Sequence, residues 1–176
     1  RYPSDCEAIL EASAGRRRRR AAVIGGGLLG LEAAKALVSL GCEVTVVHLM
    51  DRLMERQLDS TAASLLRDAI NELDVTVLTE RSTVEITGKK AANGLRFADG
   101  GSLECDFVVV SVGVVPRLDL AKQSGLECER GVVVDDRMRT SSPGIFAIGE
   151  CAQHEGVVHG IVAPIYEQAE VAAAAI

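Results

Sequence analysis

Residues 21–47 read AAVIGGGLLGLEAAKALVSLGCEVTVV, and five arginines, Arg16–Arg20, run straight into them. Ala21–Ile24 is a short apolar strand pattern closed by Gly25-Gly26-Gly27. Leu29, Ala33, Ala36, Leu37 and Leu40 then recur at helical spacing, and Gly41 supplies a stop. Glu43–Val47 is a second strand. Strand, glycine turn, helix and strand within about thirty residues is the length of a βαβ unit.

The three spaced glycines have separate physical duties in such a unit. Gly25 permits the tight turn, Gly27 lets the backbone approach a pyrophosphate, and Gly30 lets the helix pack close to the strand. The helix N-terminus then offers unpaired N–H groups and about half a positive charge to the phosphates. The pattern alone is weak in a glycine-rich chain, and its place between a strand and a helix is what makes it informative. A tight βα turn that binds nothing is the plain alternative.

Two other readings of this stretch fare worse. An export signal needs a long apolar core, and Glu32 and Lys35 interrupt this one. A nucleic-acid-binding tail conflicts with a net charge of −6. The arginines are therefore expected to be mostly a solvated lead-in, with no nucleic-acid partner. No charge-free apolar run is long enough for a membrane span, and a cytoplasmic location is expected.

Working outward, Asp59 or Ser60 caps a second helix over residues 59–73, with Ala62, Leu65, Leu66, Ala69, Ile70 and Leu73 as its apolar stripe. Val75–Thr79 is a third strand. From Ser82 to Cys105 the period changes to two, broken by GKKAANG and ADGG turns, which predicts a small antiparallel excursion. Phe107–Val112 is a near-continuous apolar run and predicts a return to a fully buried strand. The fold class is thus α/β, a Rossmann-like doubly wound parallel sheet with an antiparallel excursion. Beyond Pro116 the spacing predicts a helical turn or two at Leu118–Gln123, strands at Gly131–Asp135 and Ile145–Ile148, and a C-terminal helix with Pro164 as first residue.

The five cysteines, Cys6, Cys42, Cys105, Cys128 and Cys151, are scattered without a C-x-x-C pair. Reduced thiols and no metal site are expected. After the second strand, NAD-selective folds commonly place an acid that accepts from the ribose hydroxyls. Here stands His48, followed by Asp51 and Arg52. A neutral imidazole is still able to bond a hydroxyl, and Arg52 is able to pair with a 2′-phosphate. NADH and NADPH both stay open.

IGGGLLGLEAAKAL with VVHLMDRLMERQLD resembles the central domain of pyridine-nucleotide-dependent flavoprotein reductases, most nearly the nitrite reductase large-subunit type. VVVSVGVVPR and GVVVDDRMRTSSPGIFAIGEC resemble two later motifs of that family, so the likeness covers nearly the whole chain. It implies that Gly25, Gly27, Leu28, Leu29 and Gly30 line the nicotinamide cofactor's pyrophosphate. It gives Glu32, placed in the helix's first turn, the catalytic-site duty of accepting from the carboxamide. Val112 and Gly113 would flank the nicotinamide end. Gly149 and Glu150 match a Gly-Asp pair that grips the FAD ribityl chain, with a carboxylate one methylene longer here. Pro164 and Ile165 would begin the helix facing the flavin's pyrimidine ring.

Residues 4–14 read as a short, weakly amphipathic helix, and with the resemblance the expected division is residues 1–20 as a linker or lead-in helix, 21–113 as an NAD(P)H-binding domain, and 114–176 as the C-terminal part of an FAD-binding domain whose N-terminal half is absent. The expected partners are that missing half and downstream sirohaem and iron–sulfur domains. Self-association through apolar surface left open is expected as well. The implied activity is hydride transfer from NAD(P)H to FAD as the electron entry of a nitrite reductase, the isolated chain being inactive. Alternatives are a cofactor-binding module without turnover, or a reductase of rubredoxin or ferredoxin type.

Overall fold

The computed structural model describes residues 2–15, 18–160 and 162–176. These form two compact units, Arg1–Gly113 and Val114–Ile176. In the first, helix α1 (Pro3–Ser13) leads into β1 (Arg20–Ile24), α2 (Leu28–Ser39), β2 (Glu43–Val47), α3 (Ser60–Asn71) and β3 (Val75–Leu78). Strands β4 (Thr83–Thr87), β5 (Gly94–Phe97) and β6 (Ser102–Glu104) make the antiparallel excursion, and β7 (Phe107–Val110) returns to the main sheet.

That sheet is parallel with strand order β3-β2-β1-β7. Ala21 pairs Val44 on one side and Phe107 on the other, so β1 lies centrally. Winding outward to β3 and then back across to β7 reverses the strand order at β1, the doubly wound pattern. The two faces are covered differently. Ala21, Val23, Val44 and Val46 pack with Leu31, Ala34, Leu37 and Ile70 of the helices. Ala22 and Val47 face Leu95, Phe97 and Cys105 of the antiparallel excursion. A central strand covered on both faces explains why Ala21–Ile24 reads as a continuous apolar run. Each wholly buried Leu or Val there contributes about 1.5–3 kcal/mol.

Several expected faces shift. The buried face of α2 is Gly30, Leu31, Ala34 and Leu37, while Leu29 and Leu40 are exposed. Both stripes have helical period, and the direction in which the glycine turn delivers the chain selects the one that meets the sheet. In α3, capped by Asp59 Oδ1 accepting from the Ala62 amide at 2.8 Å, Ala63 and Ile70 are buried and Leu65 is exposed. Strand β7 stops at Val110 and is the sheet's edge, so Val110 and Val112 are 59% and 71% exposed rather than buried.

The arginine run is more than a lead-in. Arg16 and Arg17 lie outside the described residues. Arg19 Nε donates to the Ala12 carbonyl at 3.1 Å, and Arg20 pairs with Glu104 at 2.7 Å and Asp106 at 3.6 Å. With Ile9 and Ala12 packed on the helix-side core, α1 is part of this unit.

The second unit holds α4 (Asp119–Gln123), β8 (Val132–Val134), β9 (Ala152–His154), β10 (Val157–Val158) and α5 (Val162–Ala175). Strand β9 lies between β8, its parallel partner, and β10, its antiparallel one. Val134, Met138, Ala152 and Ala172 form its core. Residues 145–148 do not form the expected strand: only Phe146 bridges, to Arg139, and Ile145 and Ile148 are exposed. The strand pairing β8 falls instead to Ala152–His154, whose mixed AQH sequence carries no alternation to reveal it. Pro164 is the third residue of α5 and not its first. It still sits where no intrahelical N–H is required.

Candidate functional site

The turn after β1 lies where β1 and β7 end side by side, the position at which doubly wound sheets open a crevice. Gly25, at φ 119°, donates its amide to the Val47 carbonyl at 2.9 Å. A Cβ there would run into the Ser111 carbonyl at the end of β7. A Cβ on Gly30 would run into the Gly25 carbonyl, so helix and turn touch backbone to backbone. Gly27 differs from both. A Cβ on it would meet nothing within 4 Å, and its φ of −84° suits any residue. The space in front of Gly27 is open to a ligand.

Gly27 is also the N-cap of α2, and no side chain caps it. The first helical bond runs from the Leu31 amide to the Gly27 carbonyl at 3.0 Å. The amides of Leu28, Leu29 and Gly30 therefore precede the helix's own bonding and concentrate the positive end of its dipole. The side chains of Leu28 and Leu29 are exposed beside them. Glu32 is the fifth residue of α2, just past the first turn where it was expected, and it is exposed. At that depth the helix dipole has little hold on it.

Sequence reasoning missed Gly26. A Cβ there would stand 2.6 Å from Leu53 Cδ2 and 2.8 Å from His48 Cγ. Its amide donates to His48 Nδ1 at 3.0 Å, and its carbonyl accepts from the Met54 amide at 3.0 Å. These partners lie more than twenty residues away, so the doubled glycine before Gly27 was their only trace in the sequence. His48 is 8% exposed, and its Nε2 lies 3.1 Å from Glu55 Oε2. Both ring nitrogens are engaged within the protein. The expectation that His48 bonds a ribose hydroxyl meets an imidazole with no nitrogen left for one. Arg52 donates through Nε to the Leu58 carbonyl at 3.3 Å and through Nη1 to Asp51 at 3.1 Å.

The remaining expected residues fall into two places. Val112 and Gly113 follow β7, both exposed. In the second unit Gly149, at φ 82°, is buried and donates its amide to Gln168 Oε1 at 2.7 Å. Glu150 is exposed, and Ile165 lies 3.9 Å from where a Cβ on Gly149 would stand. Gln168, itself 8% exposed, is a second residue that the pattern did not reveal. Burial pushes the Cys42 and Cys105 thiols up from their ordinary range, which suits packing rather than reactivity. Among the described residues no helix is long and apolar enough to cross a membrane.

A parallel sheet that reverses its order at a glycine turn, with an uncapped helix rising from that turn, defines a Rossmann-like α/β fold. The sequence profile of the family described as pyridine nucleotide-disulphide oxidoreductase matches residues 1–175, and the chain belongs to that family. The family's cofactors are FAD and NAD(P)H. The nitrite reductase [NAD(P)H] of Bacillus subtilis is 50% identical over 169 residues, which is 96% of this chain and 21% of that protein. The nitrite reductase (NADH) large subunit of Escherichia coli is 48% identical over 176 residues, 98% of this chain and 20% of that subunit. The chain thus spans about a fifth of the length of these relatives. A ferredoxin reductase from Rhodopseudomonas palustris superposes with a TM-score of 0.84 at 31% identity, covering 98% of this chain and 43% of that one.

Proposed function

We propose that this chain is the NAD(P)H-binding, electron-entry portion of an FAD-dependent oxidoreductase of the nitrite reductase kind. The observation that carries the reading is the open face of Gly27 at the uncapped start of α2. Gly25 and Gly30 are filled by the protein's own backbone, so Gly27 alone has room for a pyrophosphate to meet main-chain amides. The residues present fit the group: donors converge there, and no carboxylate belongs to the first turn of α2.

When both cofactors are bound, the nicotinamide supplies a hydride and the flavin accepts it. The chain's own residues position and screen. Gly27, Leu28, Leu29 and Gly30 hold the diphosphate through their amides, and the exposed side chains of Leu28 and Leu29 shield it from water. Glu32 accepts from the carboxamide and fixes the ring's orientation. Val112 and Gly113 give the ring a flat apolar border. In Val114–Ile176, Gly149 shapes the corner with its amide on Gln168, Glu150 holds the flavin's ribityl chain, and Pro164 and Ile165 lie in the first turn of the helix whose positive end favours a reduced flavin. Identity to two nitrite reductases near 50% supports nitrite as the final acceptor in the larger protein.

Calorimetric titration of the chain with NADH and with NADPH tests this reading. One saturable site for at least one nucleotide is expected, and flat titrations with both would overturn it. A dye-reduction assay with and without added FAD then separates a binding portion, silent in both, from a self-sufficient reductase.

A further inference from the structure

His48 touches three parts of the nucleotide-facing end of the sheet at once. Its backbone extends the β2–β3 ladder, the amide donating to Leu78 at 2.8 Å and the carbonyl accepting from Arg81 at 2.9 Å. The ring lies against Gly26 so closely that no Cβ fits between them. A backbone amide donates only, so the 3.0 Å bond from Gly26 makes Nδ1 the acceptor and places the ring's proton on Nε2. Nε2–H then donates to the Glu55 carboxylate at 3.1 Å. The same segment returns to the glycine loop through the Met54 amide, on Gly26's carbonyl, and through Leu53, which is wholly buried against it. Met54 takes a left-handed φ of 52° to make that return.

We propose that Gly26, His48 and Glu55 form a clamp in which a neutral imidazole, held in one tautomer by Glu55, fixes the middle of the glycine loop for a pyridine nucleotide. His48 is then a positioning residue that never touches the ribose, and discrimination at the 2′ position passes to the exposed Asp51 and the half-buried Arg52 paired with it. The inference rests on the nucleotide-binding reading above. Its physical core is the cost of freeing the loop. Without Nδ1, the Gly26 amide is a buried donor with no acceptor, and the loop is released to relax away from the geometry that aligns Gly27 and its neighbours.

The test separates positioning from direct readout by comparing two nucleotides. With His48→Ala, affinity for NADH and for NADPH should fall together by about tenfold, the weight of one buried donor left unsatisfied. His48→Asn, whose Oδ1 reaches the place of Nδ1, should restore both to within about threefold of the parent chain. Glu55→Leu, at a partly exposed position, should weaken both nucleotides equally by a few-fold. Nitrogen-detected NMR of the parent chain should show His48 protonated at Nε2. A loss confined to NADH in His48→Ala, an unchanged affinity, or an Nδ1-protonated ring would each overturn the clamp. A parent chain that binds neither nucleotide overturns the proposed function instead, and with it the clamp's purpose.

Discussion

The Gly25 carbonyl occupies the space that a Cβ on Gly30 would need, whereas the same atom added to Gly27 would meet nothing within 4 Å. The two glycines therefore answer to different parts of the molecule. Gly30 serves the fold, because its neighbour is backbone that is fixed by the Gly25–Val47 bond and has no rotamer to yield. Gly30→Ala should destabilise the unit by about 1–3 kcal/mol. Gly27→Ala should cost stability no more than about 1 kcal/mol, the preference for glycine over alanine at an N-cap, while reducing nucleotide affinity at least tenfold, since only the ligand comes close to it. Chemical denaturation and calorimetry on the same two variants check both halves. Equal stability loss in the two would refute the division.

Gln168 holds the other unit's glycine corner. Its Oε1 is the acceptor for the Gly149 amide at 2.7 Å, and both residues are buried. Gln168→Leu removes the acceptor, keeps the side chain's bulk and leaves the amide in an apolar surrounding. A loss of about 1–3 kcal/mol is expected from that unsatisfied donor. Gln168→Glu, which keeps an acceptor oxygen, should lose less. Hydrogen exchange at Gly149 gives the local measure: protection should fall sharply in the leucine variant, and unchanged protection would show that another group holds the corner.

Asp106 joins β1 to the start of β7 through the Arg20 amide, which donates to Oδ2 at 2.8 Å. That bond, with the charge of Arg20 near it, holds the carboxyl below the ordinary 3.8. A folded-state value below the unfolded one means that the ionised form stabilises the fold. The contribution is fully present above the unfolded carboxylate value of about 3.9 and disappears as pH falls through the folded value. Asp106→Asn should therefore be less stable than the parent chain at pH 7, with the gap closing below about pH 4. Thermal melts at several pH values check the convergence, and a gap that widens on acidification would contradict it.

What the sequence disclosed and what it hid follow one physical line. The elements of the first unit were legible because β1, β2, α2 and α3 are set by local pattern: apolar runs, a glycine turn, an aspartate cap. The buried face of α2 was not, because two apolar stripes share the helical period and only the docking direction chooses between them. Residues 145–148 read as a strand on composition alone, yet β8 pairs with Ala152–His154, a tertiary choice with no local signature. At the site, Gly25 and Gly30 were legible from spacing. The partnership of Gly26, His48 and Glu55 was not, since each residue is ordinary by itself and the fold alone brings the three together.

Arg52 makes the final prediction, because its guanidinium is partly committed. Nη1 lies 3.1 Å from Asp51 and Nε donates to the Leu58 carbonyl, so the side chain is oriented while about a third of it stays exposed. A 2′-phosphate brings about −2 charge and would draw the guanidinium away from a single exposed carboxylate, an exchange that surface ion pairing of about 0–1 kcal/mol does not prevent. A ribose hydroxyl has no such pull. Arg52→Gln should therefore weaken NADPH by about tenfold and NADH by less than twofold. Asp51→Asn, which frees the guanidinium, should shift preference the other way, toward NADPH. High salt should weaken NADPH binding more than NADH binding in the parent chain, and that difference should shrink in the glutamine variant. Parallel titrations with the two nucleotides at low and high salt give the comparison. Equal losses for both in Arg52→Gln would remove Arg52 from the ribose end of the site.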